Sequence, residues 1–479
     1  MEINRRQFVC TASAFLAFFG RDAFAGSRRL RLGVLSDVHV SVNDAGRPSA
    51  MLSRLEMALR LFRDLHVDAV VLAGDMTERG VHAEMDEVVR AWQTVFPDDK
   101  GADGRRVERL FTSGNHEWEG WIYGHRGDKK IEAKYRPHAM TDHPAEFWER
   151  HWHEKYAPVF EKTVNGYTFV LAHYGCEKQL ARYLKTHPLP KDRPFFYVQH
   201  RHPKGTVCWS DSEGDGGATT ATLARFPNVV VFSGHKHEPA NDPRSVWQDS
   251  FTSIGTSAVS QLYLQTGREN YRLARGDSRQ QEMPRRPTLD GGCIILADVY
   301  DDRMTLEYRS VVSDFRERIC EDRVIVFPAC TDENLSPYRF EPRRARAEPP
   351  QFAPDAQART VRLDDGRLSV AFPPARRAYD DGGLKDYLVV AERKCEDGTF
   401  APIAERMVYA RWFYLPERTA RAMVDQSGLA EECCVFARAL FKDGGTFRFW
   451  VVPRDSWDKC GKPVFSSAFE VKKEDPETT

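Results

Sequence analysis

The sequence predicts an α/β domain followed by a smaller all-β domain. Residues 30–310 alternate short aliphatic runs with segments whose apolar residues recur at helical spacing, which is typical of α/β folds. Beyond residue 354 the helical spacing disappears and short alternating runs remain, which is typical of β-sandwiches. A chain of 479 residues is also too long for one ordinary core, so two or three domains are expected.

The first 25 residues are expected to be an export signal that is removed. Arg5 and Arg6 precede an apolar stretch at 8–19, and residues 23–25 (Ala-Phe-Ala) offer a small-residue cleavage site. The Arg-Arg-x-Phe start resembles a twin-arginine signal. The apolar stretch is shorter than the ~20 residues that span a bilayer. We therefore expect a periplasmic or secreted protein that begins near Gly26 and does not insert into a membrane, with an uncleaved amphipathic helix as the alternative.

The first domain is predicted to occupy residues 26–335, with its strands recognised as aliphatic or alternating runs. Residues 50–62 place apolar side chains on one helical face and predict a helix. Two long polar stretches, 118–158 and 239–292, are expected to be loops beside a site. The predicted strands are Leu30–Ser36, Val67–Ala73, Arg109–Thr112, Tyr167–Ala172, Phe195–Gln199, Val229–Ser233, Cys293–Tyr300 and Arg303–Val311.

A proline-rich stretch separates the two domains. Residues 336–354 contain five prolines and few aliphatic residues, which predicts a linker. About seven short strands then follow in residues 355–479, with turns at Asp365-Gly366 and at 443–445. This pattern predicts a β-sandwich that weakly resembles fibronectin type III-like modules.

The charge balance argues against some classes of partner. Lys plus Arg number 69 and Asp plus Glu number 70, so the chain has no basic excess. Neither polymeric nucleic acid nor an anionic membrane surface is therefore an expected partner. Nothing in the sequence predicts an oligomeric state.

Five short polar motifs each follow a predicted strand of the first domain. Because the carboxyl ends of strands in an α/β sheet meet at one edge, these motifs are expected to lie together. Gly at 74, 114 and 234 would let the backbone approach closely beside each motif. The motifs are Ser36-Asp37-Val38-His39, Gly74-Asp75, Gly114-Asn115-His116-Glu117, His200-Arg201-His202-Pro203 and Gly234-His235-Lys236-His237.

The mixture of imidazole and carboxylate groups indicates a transition-metal site. Such ligands suit Mn, Fe, Zn or Co, whereas an all-oxygen set would indicate Mg or Ca. Two divalent ions about 3.5–4 Å apart can share one carboxylate and one hydroxide, and the hydroxide then attacks phosphorus in line. The five motifs together therefore predict a two-metal hydrolase.

The ordered series of motifs resembles the calcineurin-like metallophosphoesterases over residues 30–310. The resemblance implies a four-layer αββα sandwich and two divalent transition-metal ions, with Mn, Fe and Zn as candidates. It also implies a ligand set in which one aspartate bridges both ions. By motif, Asp37, His39 and His237 bind the first metal, Asp75 bridges, and Asn115, His200 and His235 bind the second.

Three further positions follow from the same resemblance. His116 is implied to be catalytic rather than a ligand, stabilising charge on the phosphoryl group or protonating the leaving oxygen. Glu117 is expected to orient it. His173, which also follows a strand, is the alternative to His200 as the ligand of the fourth motif. Glu78 stands where purple acid phosphatases carry a tyrosine, so a tyrosinate-iron site is not expected.

The implied activity is hydrolysis of a small phosphodiester or phosphomonoester. The string at residues 74–80 is similar to that of cyclic-nucleotide-phosphodiesterase-like and purple-acid-phosphatase-like branches, which favours diesters. The alternative is a catalytically inert binding or adhesion protein that uses its β-sandwich. A nuclease of polymeric DNA is disfavoured by the charge balance.

Overall fold

The structure is a computed structural model. It describes residues 27–43, 45–125, 142–262, 292–329, 336–376, 383–414 and 431–473. The predicted export signal, residues 126–141 of the first predicted loop and 263–291 of the second lie outside the described residues.

The first domain is built on two six-stranded sheets. In the first sheet the order is β12-β11-β10-β1-β2-β3, with β1 to β3 parallel and β10 antiparallel to β1. Its strands are β1 (Leu30–Leu35), β2 (Ala69–Ala73), β3 (Glu108–Thr112), β10 (Cys293–Val299), β11 (Arg303–Ser310) and β12 (Arg323–Val326).

The second sheet has the order β4-β5-β6-β7-β9-β8. Its four central strands are parallel, whereas β4 and β8 run antiparallel to their neighbours at the two ends. Its strands are β4 (Val159–Val164), β5 (Tyr167–Ala172), β6 (Phe195–Val198), β7 (Val229–Ser233), β8 (Val246–Gln248) and β9 (Thr252–Gly255).

The two sheets pack face to face and helices cover their outer faces. Val34 and Ile295 of the first sheet share one buried cluster with Phe169 and Phe232 of the second. The helices are α1 (Ala50–Asp64), α2 (His82–Val95), α3 (His116–His125), α4 (Pro144–Trp152), α5 (Leu180–Tyr183), α6 (Ser210–Glu213), α7 (Thr220–Leu223) and α8 (Phe340–Arg346). The longer helices α1, α2 and α4 cover the first sheet, and α5 and α7 cover the second. The expected four-layer αββα sandwich is therefore confirmed.

Helix α1 confirms the helix predicted from the apolar spacing of residues 50–62. Leu55, Ala58, Leu59 and Phe62 are all buried, at the spacing of one helical face, and they pack on the outer side of the first sheet. Alternate residues of β1 meet the two cores, since Val34 faces the second sheet and Leu35 faces the helices. A strand that is covered on both faces has a continuous aliphatic sequence, as found here.

The second domain is an all-β sandwich. Its strands are β13 (Arg359–Arg362), β14 (Leu368–Phe372), β15 (Leu384–Lys394), β16 (Phe400–Tyr409), β17 (Glu432–Phe436), β18 (Gly445–Asp455), β19 (Val464–Phe465) and β20 (Phe469–Val471). A sheet ordered β13-β14-β17 faces one ordered β16-β15-β18-β19, and β20 pairs with β18. Val370 and Phe372 of the smaller sheet share a core with Val389 and Phe449 of the larger. The likeness to fibronectin type III modules stays a prediction.

The predicted linker contains a short helix. Tyr338 and α8 lie within residues 336–354, and the Tyr338 hydroxyl accepts a hydrogen bond from Val324 N at 3.1 Å. Arg343 donates to the carbonyl of Pro243, and the Phe340 ring lies 5.4 Å from the ring of Trp457. This segment therefore contacts both domains. Among the described residues, no helix is long and apolar enough to cross a membrane.

Candidate metal centre

The eight predicted site residues converge where strands of the two sheets end. Asp37, Asp75 and Asn115 follow β1, β2 and β3 of the first sheet, whereas His200 and His235 follow β6 and β7 of the second. Of the three groups of side chains in the described part of the chain whose ligand atoms lie within 4.8 Å of one another, two contain residues from both sheets. The first group is Asp37, His39 and His237, and the second is Asp75, His200 and His235. Each group thus combines residues of both sheets.

The first group is closely packed and buried. His237 Nε2 lies 3.1 Å from Asp37 Oδ1 and 3.1 Å from His39 Nε2. The backbone N–H of His235 donates to both oxygens of the Asp37 carboxylate at 3.0 Å. Burial would raise the pKa of Asp37, but attraction to His237 and its hydrogen bond outweigh burial and lower that pKa to about 2. Asp37 is therefore an anion at neutral pH.

The second group surrounds the ring of His200. His200 Nε2 lies 3.2 Å from Asp75 Oδ2, 3.0 Å from Asn115 Oδ1 and 3.2 Å from His235 Nδ1. Burial, followed by the neighbouring charge of His200, lowers the pKa of His235 to about 2. His235 is therefore neutral and carries a lone pair.

Asp75 lies between the two groups. Its Oδ2 is 3.2 Å from His200 Nε2, 3.8 Å from His39 Nε2 and 3.9 Å from His116 Nε2. Its Oδ1 accepts a hydrogen bond from His116 N at 2.9 Å. This is the position that the resemblance assigns to a carboxylate shared by two ions.

Backbone carbonyls fix the tautomers of two imidazoles. His200 Nδ1 lies 2.8 Å from Ala73 O, and His237 Nδ1 lies 2.6 Å from Gln261 O. Because a carbonyl oxygen only accepts, each Nδ1 carries the hydrogen. The Nε2 of each ring, when neutral, then directs a lone pair at the neighbouring carboxylates and imidazoles.

As a result, acceptors face acceptors in both groups whenever the rings are neutral. His39 Nδ1 donates to Glu78 Oε2 at 3.0 Å, so the Nε2 atoms of neutral His39 and His237 rings would meet at 3.1 Å as two lone pairs. His200 Nε2 meets the oxygens of Asn115 and Asp75 in the same way. Such a cluster needs a cation between its atoms, and its mixture of N and O ligands suits a divalent transition metal. The residues present therefore fit the implied ions.

In the metal-free protein, protons on the histidine rings supply the positive charge between these ligand atoms. Burial opposes charge on His39, but the Glu78 hydrogen bond and the Asp75 and Asp37 carboxylates raise its pKa to about 9. For His200, burial is likewise outweighed by Asp75, and the pKa rises to about 10. Both rings therefore hold a proton at neutral pH until a stronger cation displaces it.

Metal binding is therefore expected to release about two protons per protein at pH 7.5, from His39 and His200. Because both pKa values are raised above 6.5, the charged rings stabilise the metal-free fold fully below pH 6.5. That stabilisation is lost as pH rises through about 9 to 10, and apparent metal affinity rises over the same pH range. Titration calorimetry in two buffers of different ionisation enthalpy measures the proton count.

His66→Gln is the matched control for the proton count, since His66 is half exposed and pairs with Asp103 outside the site. It is expected to release the same number of protons as the unaltered chain. Binding that releases no proton would contradict the protonation assigned to His39 and His200.

Five of the converging residues have unusual backbone conformations. Positive φ angles occur at Asp37 (53°), His39 (55°), Asp75 (52°), His235 (76°) and His237 (47°). Non-glycine residues occupy this region rarely, typically at a cost of about 1–3 kcal/mol each where the conformation is strained. The prediction for the motif glycines is confirmed, because an added Cβ at Gly74, Gly114 or Gly234 would overlap His200, Asp75 or Asp37, respectively.

The Glu117 carboxylate accepts hydrogen bonds from backbone N–H groups and does not orient His116. The buried carboxylate accepts hydrogen bonds from Asp75 N at 3.0 Å, Thr77 N at 2.9 Å and Gly114 N at 2.6 Å. His116 Nδ1 donates instead to the carbonyl of Glu78 at 2.6 Å. The expectation that Glu117 orients His116 is therefore replaced: Glu117 joins the turns after β2 and β3.

Glu117→Gln is expected to destabilise the metal-free protein by about 2–5 kcal/mol, because the amide NH₂ would face backbone donors in a buried site. Denaturant unfolding of both proteins measures the difference. Glu146→Gln, an exposed position on α4, is the control and should leave stability unchanged. Equal stability of Glu117→Gln and the unaltered protein would show that the carboxylate does not hold the two turns together.

The two other histidines considered from sequence lie outside the cluster. His173 accepts a hydrogen bond from Ser113 N at 3.0 Å and stacks on Tyr156, with ring centroids 4.5 Å apart. Its burial lowers its pKa to about 3. His202 is also buried, 2.7 Å from Ser233 Oγ and 3.3 Å from Glu238 Oε2. Of His173 and His200, only His200 lies against Asp75.

Sequence reasoning missed two contributors to the site. Glu78 accepts from His39 through its side chain and from His116 through its carbonyl. Gln261 supplies the carbonyl that orients His237. Glu78 could have been found from its position three residues after Asp75, whereas the Gln261 carbonyl carries no sequence signal.

Comparisons with known proteins identify one family and several distant solved structures. The sequence model of the family described as calcineurin-like phosphoesterase matches residues 30–239. No curated protein shows a significant match. A solved dimetal phosphatase from Danio rerio is 14% identical with a TM-score of 0.34, covering 63% of this chain and 100% of that one.

Two further solved structures are similar at comparable levels. GAP50, described as the anchor in the inner membrane complex of Plasmodium, is 13% identical with a TM-score of 0.31, covering 60% of this chain and 87% of that one. Vacuolar Protein Sorting 29 from Cryptosporidium parvum is 8% identical with a TM-score of 0.28, covering 62% and 97%. With the family match over residues 30–239 and the ligand cluster in the same region, this chain carries a domain of the calcineurin-like phosphoesterase family.

Proposed function

We propose that the chain is a metal-dependent phosphoesterase that uses two divalent ions. The observation that carries the proposal is the convergence of metal-ligating atoms: imidazole nitrogens, carboxylates and an amide oxygen face one another at 3.0–3.2 Å in both groups. The family match over residues 30–239 supports the same activity.

Asp37, His39 and His237 would hold one ion, and Asn115, His200 and His235 the other, with Asp75 shared. The bound ions would polarise the phosphoryl oxygens and lower the pKa of water for attack on phosphorus. Asp75 and Asp37 offset the positive charge, while Glu78 and the Ala73 and Gln261 carbonyls hold the histidine rings in orientation.

His116 would transfer a proton to the leaving-group oxygen. Its Nδ1–H donates to Glu78 O, so Nε2 is the atom that gains and loses the proton. The side chain remains 19% exposed, while the liganding His200 ring is fully buried. Nε2 also lies 3.9 Å from both Asp75 Oδ2 and Glu119 Oε1. The partial exposure of His116 supports its access to substrate.

The substrate proposed is a small phosphodiester or phosphomonoester, with diesters favoured by the string at residues 74–80. The ions are Mn, Fe or Zn. Export to the periplasm or beyond follows from the signal-like first 25 residues. The chain's balanced charge, 69 basic against 70 acidic residues, disfavours a nucleic acid polymer.

The second candidate is an inert binding or adhesion protein that uses the β-sandwich. The separate apolar core of the all-β domain favours a role for that domain in binding. A decayed catalytic domain, however, would be expected to have lost at least one ligand, whereas the side chains proposed as ligands all lie within the two groups or beside them.

The test is hydrolysis of bis(p-nitrophenyl) phosphate and p-nitrophenyl phosphate by the metal-stripped mature protein resupplied with Mn²⁺. Metal-dependent activity supports the proposal, and the faster substrate decides between diesterase and monoesterase. Metal analysis accompanies the assay. A protein that binds no ion at near-stoichiometric level would overturn the phosphoesterase and favour the binding protein.

A further inference from the structure

Tyr174 and Arg201 lie at the same edge as the metal ligands but take no part in the ligand set. Tyr174 comes just after β5, and Arg201 follows His200 after the neighbouring parallel strand β6. Tyr174 N donates to Ser113 O at 3.1 Å, which ties it to the turn that carries Asn115. The two side chains therefore border the second metal group.

Three planar side chains contact one another in succession, beginning in the second metal group: His200, Tyr174 and Arg201. The Tyr174 ring lies edge-on to the His200 ring, with centroids 6.2 Å apart at an interplanar angle of 70°. The Arg201 guanidinium lies over the Tyr174 ring, 4.9 Å from its centroid. Guanidinium groups that stack on aromatic rings present flat surfaces to ligands.

Glu177 fixes the guanidinium in place. Its Oε1 accepts from Arg201 Nε and Nη2 at 3.3 Å each. The Glu177 side chain is 2% exposed and that of Arg201 27%, so the carboxylate is the buried partner. Glu177 offsets the charge of Arg201 and restrains its plane, which makes the site better suited to a flat group than to an additional anion.

We propose that Tyr174 and Arg201 form a subsite for a planar aromatic group on the ester that is not cleaved. The subsite is distinct from the ions, which would hold the phosphoryl group itself, and it would select aryl over alkyl esters. This assignment rests on the proposed phosphoesterase activity.

The test compares two diesters that have the same leaving group and the same charge: bis(p-nitrophenyl) phosphate and methyl p-nitrophenyl phosphate. Arg201→Met and Tyr174→Ala are each expected to lower kcat/KM for the bis-aryl ester about tenfold, chiefly through KM. The methyl ester should be hydrolysed as before. Tyr174→Phe keeps the ring and should keep the preference. Arg193→Met, at an exposed arginine beside Asp192, is the control for loss of a surface charge.

Binding provides a second readout that does not depend on turnover. Phenylphosphonate should bind the metal-loaded protein more tightly than methylphosphonate, and Arg201→Met should remove most of that difference without changing metal content. Equal losses on both diesters, or a phenyl preference that survives in both Arg201→Met and Tyr174→Ala, would overturn the subsite while the phosphoesterase stands. Metal-dependent hydrolysis of neither diester, with neither phosphonate bound, would overturn both.

Discussion

Replacing Asp75 with Asn is expected to lower turnover at least about a thousandfold, the largest effect of any single change. The Asp75 carboxylate lies close to histidine rings of both groups, 3.2 Å from His200 and 3.8 Å from His39. Asparagine keeps the shape and the acceptor for His116 N but removes the charge. The ions' stabilisation of the transition state amounts to several kcal/mol, and each 1.4 kcal/mol lost costs about tenfold in rate.

Metal content and steady-state kinetics together test this expectation. The variant should hold fewer ions than the unaltered protein after equilibration with the same Mn²⁺ buffer. Asp301→Asn removes an exposed aspartate that pairs with Arg29 and is the matched control. Unchanged metal content and turnover in Asp75→Asn would show that Asp75 is not shared between ions.

His116→Ala is expected to lower turnover by about 10²-fold or more while both ions stay bound. The reason is loss of the proton that Nε2 would give to the leaving-group oxygen. The effect should shrink for esters whose leaving groups are already good, because these need little protonation. Comparison of p-nitrophenyl esters with alkyl esters measures that difference.

The structure allows one competing role for His116, which the same variant tests. His39, Asp75 and His116 form a further group whose ligand atoms lie within 4.8 Å of one another. If His116 were a ligand, His116→Ala would lose metal in proportion to activity. If His116→Ala keeps its metal but loses turnover, His116 transfers the proton. If the variant loses metal, His116 is a ligand.

The strand ends could be predicted because buried parallel strands have a plain sequence signature. Residues 69–73 and 229–232 are continuous aliphatic or aromatic runs, and each leads into a polar motif within two residues. Once the strands were assigned, the convergence of Asp75 and Asn115 followed from topology, because both come after neighbouring parallel strands of the first sheet. His235 follows a strand of the second sheet, so its position beside Asp75 depends on the face-to-face packing of the two sheets. The choice of His200 over His173 needed the three-dimensional position of Asp75.

Features that depend on tertiary contacts or on turn geometry could not be predicted. Glu117 accepts from the backbone of two separate turns, which no spacing encodes. Helix α8 lies in a proline-rich stretch that predicted a linker. Pro342 falls in its first turn, where the missing N–H has no helical partner to lose.

The way the ligands are divided between the two sheets has a mechanical consequence. One ion would be held by β1 of the first sheet and β7 of the second, and the other by β2 and β3 together with β6 and β7. Each ion would then act as a cross-link between the two halves of the sandwich, in addition to the apolar cluster around Phe169 and Val34 that the halves share. Loading with metal should therefore make the halves unfold as one unit, at a temperature that climbs with free metal concentration. Removal of the metal by a chelator should first loosen the contact between the two sheets at the strand ends that carry the ligands.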